Sequence, residues 1–237
     1  MSGTDTDGIR LNKFIASSGL CSRREADALI ESGKVTVNGV TAVQGTKVVS
    51  GDVVKVNGKS VAPDDDMIYI AFNKPLGLTC TTDRRDPSNI IDYIGFEERI
   101  FPIGRLDKNS SGLLLLTNDG SIVNQLLRAE HGHEKEYLVT VNRPYDKAFI
   151  KSMESGVPVL GQLTLPCKLI PAGDKTFKII LHQGLNRQIR RMCEYLGYKV
   201  VRLKRIRFMN VKLGDLEPGK WRYLTAAEKK ELLKASR

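Results

Sequence analysis

The sequence predicts an α+β protein in which a small module of two helices and a short sheet precedes a larger domain. The larger domain is predicted to contain a mixed or antiparallel sheet with flanking helices. Strand-like apolar runs alternate with helical stretches in irregular order, without the regular βαβ repeat of parallel sheets. Residues 61–66 contain a proline and three consecutive aspartates, a composition typical of a linker between the two parts.

The small module is predicted over residues 10–60. Ser22 and Glu25 form a capping-box pattern that starts a helix, and Gly33 follows the apolar stripe where that helix should end. The pair Asn38-Gly39 between two β-prone runs predicts a hairpin, and the valines at 53, 54 and 56 predict a closing strand. Residues 1–9 are small and mostly polar, and we expect them to be disordered.

The larger domain is predicted over residues 67–237. Its expected strands are Ile68–Phe72, Arg99–Ile103, Gly112–Thr117, Tyr137–Val141, Thr164–Ile170, Phe177–His182 and Val200–Met209. Its expected helices are Ser121–Arg128, Pro144–Ser155, Asn186–Leu196 and Ala226–Ala235. Pro144 suits a first helical turn, and Gly156 suits a helix stop.

Charge points to a polyanionic partner. The 237 residues carry a net charge of +10. Nine lysines and arginines lie between Arg187 and Lys212, against the single acid Glu194. A solvated basic surface would give the same excess, so charge by itself leaves both interpretations open.

Several classes of function are disfavoured by what the sequence lacks. The sequence contains no run of about 18 apolar residues, so no membrane span is expected. No secretion signal is recognised before the module. Walker A and G-x-G-x-x-G motifs are absent, so no nucleotide cofactor is expected. His131 and His133 are spaced like ligands but lack partners, so no metal site is expected. The four cysteines form no C-x-x-C pair, which favours reduced thiols and a cytoplasmic location.

The densest chemical signal is the run Gly104–Gly112, followed by four leucines and then Thr117. It predicts a short polar loop between two apolar strands, with Asp107 held at the rim of a sheet by a rigid scaffold. Taken by itself, the same aspartate is better explained as a turn residue that caps its own backbone, because Asp is among the commonest turn residues.

This run resembles the catalytic motif of the pseudouridine synthases, in the branch that modifies bacterial ribosomal RNA. The motif, G-R-L-D followed by Ser/Thr-x-Gly-Leu, is matched at Gly104, Arg105, Leu106, Asp107, Ser110, Gly112 and Leu113. Four further motifs of the family occur in this chain, in the order in which the family has them. They lie at Asn73–Gly77, Lys135–Tyr137 (K-x-Y), Gly184–Met192 (G-x-x-x-Q-I-R-R-M) and Pro218–Arg222. The first module resembles an S4-type RNA-binding domain, so the resemblance extends over nearly the whole chain.

The resemblance implies an isomerase that detaches the uracil of a uridine, turns it and rejoins it through carbon. Because no atoms or electrons enter or leave, no cofactor is expected. The family's catalytic aspartate corresponds to Asp107, a nucleophile. Its active-site tyrosine corresponds to Tyr137, which without the motif would be an ordinary core tyrosine of a strand. The arginine that pairs with the aspartate corresponds to Arg190.

The implied substrate is structured RNA, from which the target uridine must be extruded. Within the family, Leu185–Glu194 and His133–Val141 resemble most closely a synthase of the large ribosomal subunit, whose substrate is 23S rRNA. A tRNA anticodon loop, 16S rRNA and a non-catalytic role in ribosome assembly remain alternatives, and a monomer is the default expectation. The residues expected to contact RNA are Lys13, Arg23, Arg24, Lys74, Arg105, Lys108, Arg187, Arg191, Arg202, Lys204 and Arg207.

Overall fold

The computed structural model describes residues 8–63, 66–127 and 132–235. The chain divides into two compact units. The first runs to Met67 and includes Glu97–Arg99, and the second contains Ile68–Phe96 and the residues from Ile100 onward. In the part of the chain that is described, no helix combines the length and apolar character needed to cross a bilayer.

The first unit has two helices and a small antiparallel sheet. Its elements are β1 (Ile9–Arg10), α1 (Leu11–Ser17), α2 (Arg23–Glu31), β2 (Val35–Val37), β3 (Val40–Thr41), β4 (Lys47–Val48), β5 (Val54–Val56) and β6 (Lys59–Val61). The sheet has the order β3-β2-β5-β6, and β1 pairs with β4. Leu11 and Ile15 of α1 and Ala26 and Ile30 of α2 are buried against valines of the sheet.

Two local predictions for this unit are confirmed. The Ser22 side chain accepts from the Glu25 amide at 3.2 Å, and the Glu25 carboxylate accepts from the Ser22 amide at 2.6 Å. This reciprocal capping box starts α2. Asn38 and Gly39 both have positive φ, 51° and 84°, as a tight hairpin turn requires, and they join β2 to β3.

The predicted ends of the module need correction where the structure describes them. Ile9, expected to be disordered, pairs with Val48 because strand β1 gives it a backbone partner. Val61, expected to begin the linker, pairs with Val54 and ends β6. The remaining disorder prediction, for residues 1–7, and the two aspartates at 64 and 65 lie outside the described residues.

The second unit is built on one large sheet. Its strands are β7 (Tyr69–Lys74), β8 (Phe101–Ile103), β9 (Ser111–Thr117), β10 (Lys135–Val141), β11 (Pro158–Val159), β12 (Gln162–Leu163), β13 (Lys168–Pro171), β14 (Thr176–Leu181), β15 (Val200–Phe208), β16 (Val211–Lys212) and β17 (Trp221–Tyr223). Its helices are α3 (Ile90–Ile94), α4 (Val123–Leu127), α5 (Lys147–Ser155), α6 (Gln188–Tyr195) and α7 (Ala226–Lys234). The sheet order is β13-β14-β10-β15-β9-β7-β17, with β8 on β9 and β16 on β15.

Pairing in this sheet is antiparallel except between β9 and β15, which confirms the predicted mixed sheet. Successive leucines of β9 alternate between two cores: Leu113 and Leu115 enter one, and Leu114 and Leu116 the other. Both faces of β9 are therefore covered, which explains its continuous apolar sequence. Phe149 of α5 and Met192 of α6 pack in a third core beside β10 and β14.

Several predicted boundaries of the second unit were wrong. Helix α5 begins at Lys147 rather than at Pro144, because the Asp146 side chain caps the helix by accepting from the Phe149 amide at 2.8 Å. Thr164 lies outside any strand, and its hydroxyl accepts from the Val157 amide at 2.9 Å. The short elements α3 and β17 were not predicted. The predicted helix end at Arg128 lies outside the described residues.

The parallel contact between β9 and β15 depends on Gly112. The residue has φ +100°, and a Cβ there would lie 2.2 Å from the Arg205 carbonyl oxygen and 2.7 Å from its amide nitrogen. Backbone atoms cannot yield as the end of a flexible side chain can, so any side chain at 112 separates the two strands. These strands join the β7–β9 half of the sheet to the β10–β14 half.

We therefore expect Gly112→Ala to lower the free energy of unfolding by more than about 3 kcal/mol, measured by urea titration. Gly120→Ala is the matched control. Its Cβ would meet only the Phe101 ring at 3.6 Å, an ordinary contact, and its backbone is not left-handed. The control should change stability by less than about 1 kcal/mol. Equal, small losses for both variants would show that the two strands can separate at no great cost.

Candidate active site

Asp107 lies in the loop between β8 and β9, and the buried ammonium of Lys74 holds that loop in shape. Lys74 ends β7 with no exposed surface. Its Nζ donates to the carbonyl oxygens of Pro75 at 3.0 Å, Asp107 at 3.2 Å and Ser110 at 2.8 Å. Burial lowers the pKa of this lysine. The prediction that Lys74 contacts RNA is therefore wrong, because its charge is enclosed and fully used by the loop.

The loop opens onto a cavity of about 640 Å³. This volume lies within the usual range for small-ligand sites. Its walls come from both halves of the sheet and from the segment before α6. The lining includes Cys80, Arg105, Asp107, Lys108, Lys135, Tyr137, Leu181, Gln183, Arg187, Gln188, Leu203 and Arg205.

The carboxylate of Asp107 faces a guanidinium across this cavity. Its Oδ2 lies 3.7 Å from Nη1 of Arg187, and the two side chains are 32% and 44% exposed. At that exposure the ion pair contributes little stability, about 1 kcal/mol or less. Arg187 is the N-cap residue of α6 and has φ 52°. This left-handed conformation costs a non-glycine residue about 1 kcal/mol or more, and it marks a position where the backbone is held in an unfavourable geometry.

The predicted pairing of Arg190 with Asp107 is wrong in this structure. The Arg190 guanidinium instead donates to the carbonyl oxygens of Asn109 at 2.6 Å and Val200 at 3.1 Å. Burial, followed by repulsion from Arg187, lowers the pKa of Arg190, while Asp107 acts in the opposite direction. Arg190 therefore ties the Asp107 loop to the start of β15, and the nearer cation to the carboxylate is Arg187, one turn earlier.

Gln188 shapes the segment that carries Arg187, a role that the sequence motif did not reveal. The side chain is buried, and its Oε1 accepts from the Leu185 amide at 3.0 Å. Its Nε2 donates to Oε1 of Gln183 at 3.3 Å, which in turn accepts from the Leu165 amide at 3.1 Å. The glutamine of the family motif thus fixes the loop before α6. The signal for it was present in the sequence as the motif's only glutamine.

Tyr137 lies on β10 and lines the same cavity. Its side chain is half-buried and packs against two apolar clusters. Its hydroxyl makes no hydrogen bond to any residue that the structure describes. Lys135 and Arg205 also line the cavity and are 6% and 3% exposed. Neither was predicted as a site residue, although Lys135 is the lysine of the K-x-Y motif and Arg205 lies in the basic segment.

The other cations predicted to contact RNA fall into three groups. Arg105, Lys108 and Arg187 are exposed at the cavity, and Arg191, whose Nε donates to the Asn186 carbonyl at 3.1 Å, lies beside them. Arg202 and Lys204 alternate with the cavity-lining Leu203 and Arg205, so they lie on the opposite face of β15. In the first unit, Lys13, Arg23 and Arg24 are exposed on α1 and α2.

Arg207 departs from its predicted role. Its Nη2 lies 2.9 Å from a carboxylate oxygen of Glu134, and its Nε lies 2.9 Å from one of Glu136. The side chain is only 16% exposed. Two glutamates and partial burial leave this guanidinium little capacity for phosphate, so the geometry disfavours the predicted RNA contact, which stays a prediction. Of the histidine pair considered as metal ligands, His131 lies outside the described residues.

Comparison with known proteins defines the class of protein to which this site belongs. The RNA pseudouridylate synthase family matches residues 68–195, more than half of the chain, and the S4 domain family matches residues 9–54. The chain therefore belongs to the RNA pseudouridine synthases. It is an isomerase that acts on RNA, and its catalytic domain follows an S4 domain.

Individual relatives agree with this assignment. The chain is 54% identical over 233 residues to the dual-specificity RNA pseudouridine synthase RluF of Salmonella typhi, covering 98% of this chain and 80% of the relative. It is 37% identical to the ribosomal large subunit pseudouridine synthase B of Bacillus subtilis, covering 94% and 95%. A crystal structure of a pseudouridylate synthase superposes with a TM-score of 0.69 at 31% identity, covering 94% and 99%. The resemblance to the pseudouridine synthases that the sequence predicts is confirmed.

The buried lysine of the cavity gives a pH-dependent prediction for stability. Burial, followed by repulsion from Arg205, lowers the pKa of Lys135 from 10.5 to about 8. The charged form is thus disfavoured in the folded state. The burial of the charged ammonium therefore lowers the free energy of unfolding by its full amount below pH 8, and this loss disappears as the pH rises from 8 towards 10.5. Lys135→Met removes this charge and should be more stable than the wild type at pH 7. We expect the difference in the free energy of unfolding between the two proteins to be about 2 kcal/mol larger at pH 7 than at pH 10.

Urea titrations of both proteins at the two pH values measure this difference. The same pair of titrations on Lys168→Met, which alters an exposed lysine at the start of β13, controls for general effects of charge. A stability difference between Lys135→Met and the wild type that did not change with pH would show that Lys135 titrates as an ordinary surface lysine.

Proposed function

We propose that this synthase isomerises a specific uridine of 23S rRNA and accepts a tRNA anticodon-loop uridine as a second substrate. One observation carries the assignment of the site: Asp107, Tyr137 and Arg187 line one cavity of a size suited to a single extruded nucleotide. The choice of RNA is supported by two relatives, one named a dual-specificity synthase and the other a large-subunit synthase. Action as a monomer in the cytoplasm belongs to the same proposal.

In this proposal Asp107 is the nucleophile. Its carboxylate forms a transient covalent adduct with the nucleotide while the bond between uracil N1 and ribose C1′ breaks. The Arg187 guanidinium, 3.7 Å from the carboxylate, faces it across the partly open site. Arg190 acts as a positioning residue, because its contacts with the carbonyls of Asn109 and Val200 set the distance between the Asp107 loop and β15.

Tyr137 provides the surface against which the base turns. The ring lines the cavity and is held by apolar neighbours, so it can stack on uracil without reorganising. An aromatic face tolerates rotation of the base in its own plane, since stacking does not depend on one set of hydrogen bonds.

The exposed cations at the cavity mouth bind the RNA backbone. Extrusion of a base costs a few kcal/mol, which phosphate contacts elsewhere must offset. Arg105, Lys108, Arg187 and Arg191 are placed for this role. In the first unit, which matches the S4 domain, Lys13, Arg23 and Arg24 are exposed and provide further phosphate contacts. Arg202 and Lys204, on the opposite face of β15, are assigned to phosphates beyond the cavity.

Asp107→Asn should abolish isomerisation while leaving RNA binding nearly intact, because the amide keeps the shape of the carboxylate but is not a nucleophile. The assay counts tritium released from RNA labelled at uracil C5, since C5 loses its hydrogen when the new carbon–carbon bond forms. We expect a loss of at least about 1,000-fold. Asp215→Asn, the same change at an exposed residue far along the sequence, is the control and should retain full activity. Appreciable release by Asp107→Asn would contradict the assignment.

The substrate is tested by the same assay on three separate unmodified RNAs: 23S rRNA, 16S rRNA and bulk tRNA. We expect release from 23S rRNA to reach about one tritium for each specific site, with further release from tRNA and none from 16S rRNA. Release from 16S rRNA alone would identify a small-subunit synthase. Binding of all three RNAs without release by the wild type would instead support a non-catalytic assembly factor.

A further inference from the structure

Two buried cations form the floor of the cavity. Arg205 is 3% exposed and Lys135 is 6% exposed, and both line the space into which Asp107 opens. They lie on the neighbouring strands β15 and β10. The Arg205 guanidinium also acts electrostatically on the thiol of Cys80, another residue that lines the cavity.

The charge of these two residues is only partly compensated, by the Phe208 ring, whose centroid lies 5.7 Å from Nζ of Lys135 and 5.6 Å from Cζ of Arg205. Nε of Arg205 donates to the Leu113 carbonyl at 2.6 Å, but its Nη2 is buried and has no hydrogen-bond partner. Nζ of Lys135 makes one long hydrogen bond, 3.3 Å, to the His133 carbonyl. Among the described residues, no carboxylate lies within 4 Å of either group. The contrast is Arg207, two residues along β15, which pairs with two glutamates at 2.9 Å.

Such an arrangement is unfavourable in the free protein. A buried cation is normally paired, because desolvation of the charge must be offset by a partner. Here two cations repel each other instead: Lys135 is destabilised first by burial and then by Arg205. An uncompensated buried donor beside a cavity is a feature of sites that bind a complementary group.

The depth of these cations indicates which part of the nucleotide they meet. Phosphates remain joined to the RNA and stay at the mouth, where Arg105, Lys108 and Arg187 are exposed. The group that reaches the floor is the base. To these donors, neutral uracil offers only its two carbonyl oxygens as hydrogen-bond acceptors. When the N1–C1′ bond breaks, however, its electron pair goes to N1, and the resulting negative charge is shared with O2 and O4.

We propose that Arg205, assisted by Lys135, stabilises the detached uracil as an anion and holds it while it turns. This inference rests on the proposed function. The step is balanced without a further reactant: N1 takes the bonding pair as the adduct with Asp107 forms, and C5 then bonds to C1′ as the carboxylate leaves with its electron pair. The hydrogen at C5 leaves as a proton to water, and N1 takes up a proton from water. Fixed donors aimed at a charge that exists only after bond breaking accelerate the reaction without tightening substrate binding.

The first test compares Arg205→Gln with the wild type in single-turnover reactions at saturating enzyme. We expect the rate on uridine-containing RNA to fall about 100-fold, as for loss of one donor to a developing anion, with RNA affinity within about twofold. Lys168→Gln, an exposed lysine on β13, is the control and should leave rate and affinity unchanged. A tenfold or greater loss of affinity with an unchanged saturating rate would overturn the proposal and indicate a phosphate site.

The second test separates this role from a structural one. Fluorine at C5 withdraws electrons and stabilises the uracil anion, so a 5-fluorouridine substrate needs less help from Arg205. We expect the loss for Arg205→Gln to shrink to about 10-fold on 5-fluorouridine RNA, measured as rearranged nucleoside after nuclease digestion. Equal losses on both substrates would overturn the proposal. The comparison is made only if the variant unfolds at the same urea concentration as the wild type, so that misfolding cannot produce the equal loss.

Lys135 supplies an independent variant should Arg205→Gln not fold. Lys135→Gln should also lose more of its single-turnover rate on uridine RNA than on 5-fluorouridine RNA. Lys135→Arg should recover most of the rate, because it restores the charge. Equal losses on the two substrates, or no recovery with arginine, would count against the proposal. The wild-type arm tests the proposed function separately: if the wild type rearranges neither substrate, the proposed function fails and the inference with it.

Discussion

The cavity exists because β9 and β15 run side by side at Gly112 and Arg205. The two strands share only two registered pairs, yet they connect the two halves of the sheet. One half contributes the Asp107 loop, and the other contributes Tyr137 and the segment that carries Arg187. A side chain at 112 would collide with the Arg205 backbone. Gly112, the glycine of the family motif, is therefore required for the two halves of the site to come together. This requirement is separate from any conformational freedom that the glycine gives the loop.

Buried cations of the second unit are compensated in different ways, and the differences follow their positions. Lys74 is surrounded by three carbonyl oxygens and fixes the shape of the Asp107 loop. Arg207 is neutralised by two glutamates on the outer side of the sheet. Arg205 keeps a donor without a partner at the floor of the cavity. These differences suit a site whose rim must be rigid and whose floor must receive a negative charge.

Long patterned elements could be predicted from the sequence, and the reasons lie in local physics. The capping box at Ser22 and the Asn38-Gly39 turn depend on neighbouring residues alone. The start of α5 was missed because Asp146 competed with Pro144 for the cap. The partners of Lys74, Arg190 and Arg207 could not be predicted, since each is decided by residues distant in sequence. The resemblance in motifs predicted Asp107 and Tyr137 as site residues, and both line the cavity. Lys135 and Arg205 could not be predicted in the same way, because only the pairing of β10 with β15 brings them to the same cavity.

We have proposed that one cavity receives a single extruded uridine between Asp107 and Tyr137. The most direct measurement is a crystal structure of the Asp107→Asn variant bound to the shortest RNA fragment that the wild type modifies. We expect one uridine turned out of the RNA, with its ring against Tyr137 and a carbonyl oxygen within hydrogen-bond distance of Arg205. A target uridine still stacked in the RNA, with the RNA bound away from the cavity, would contradict the proposal.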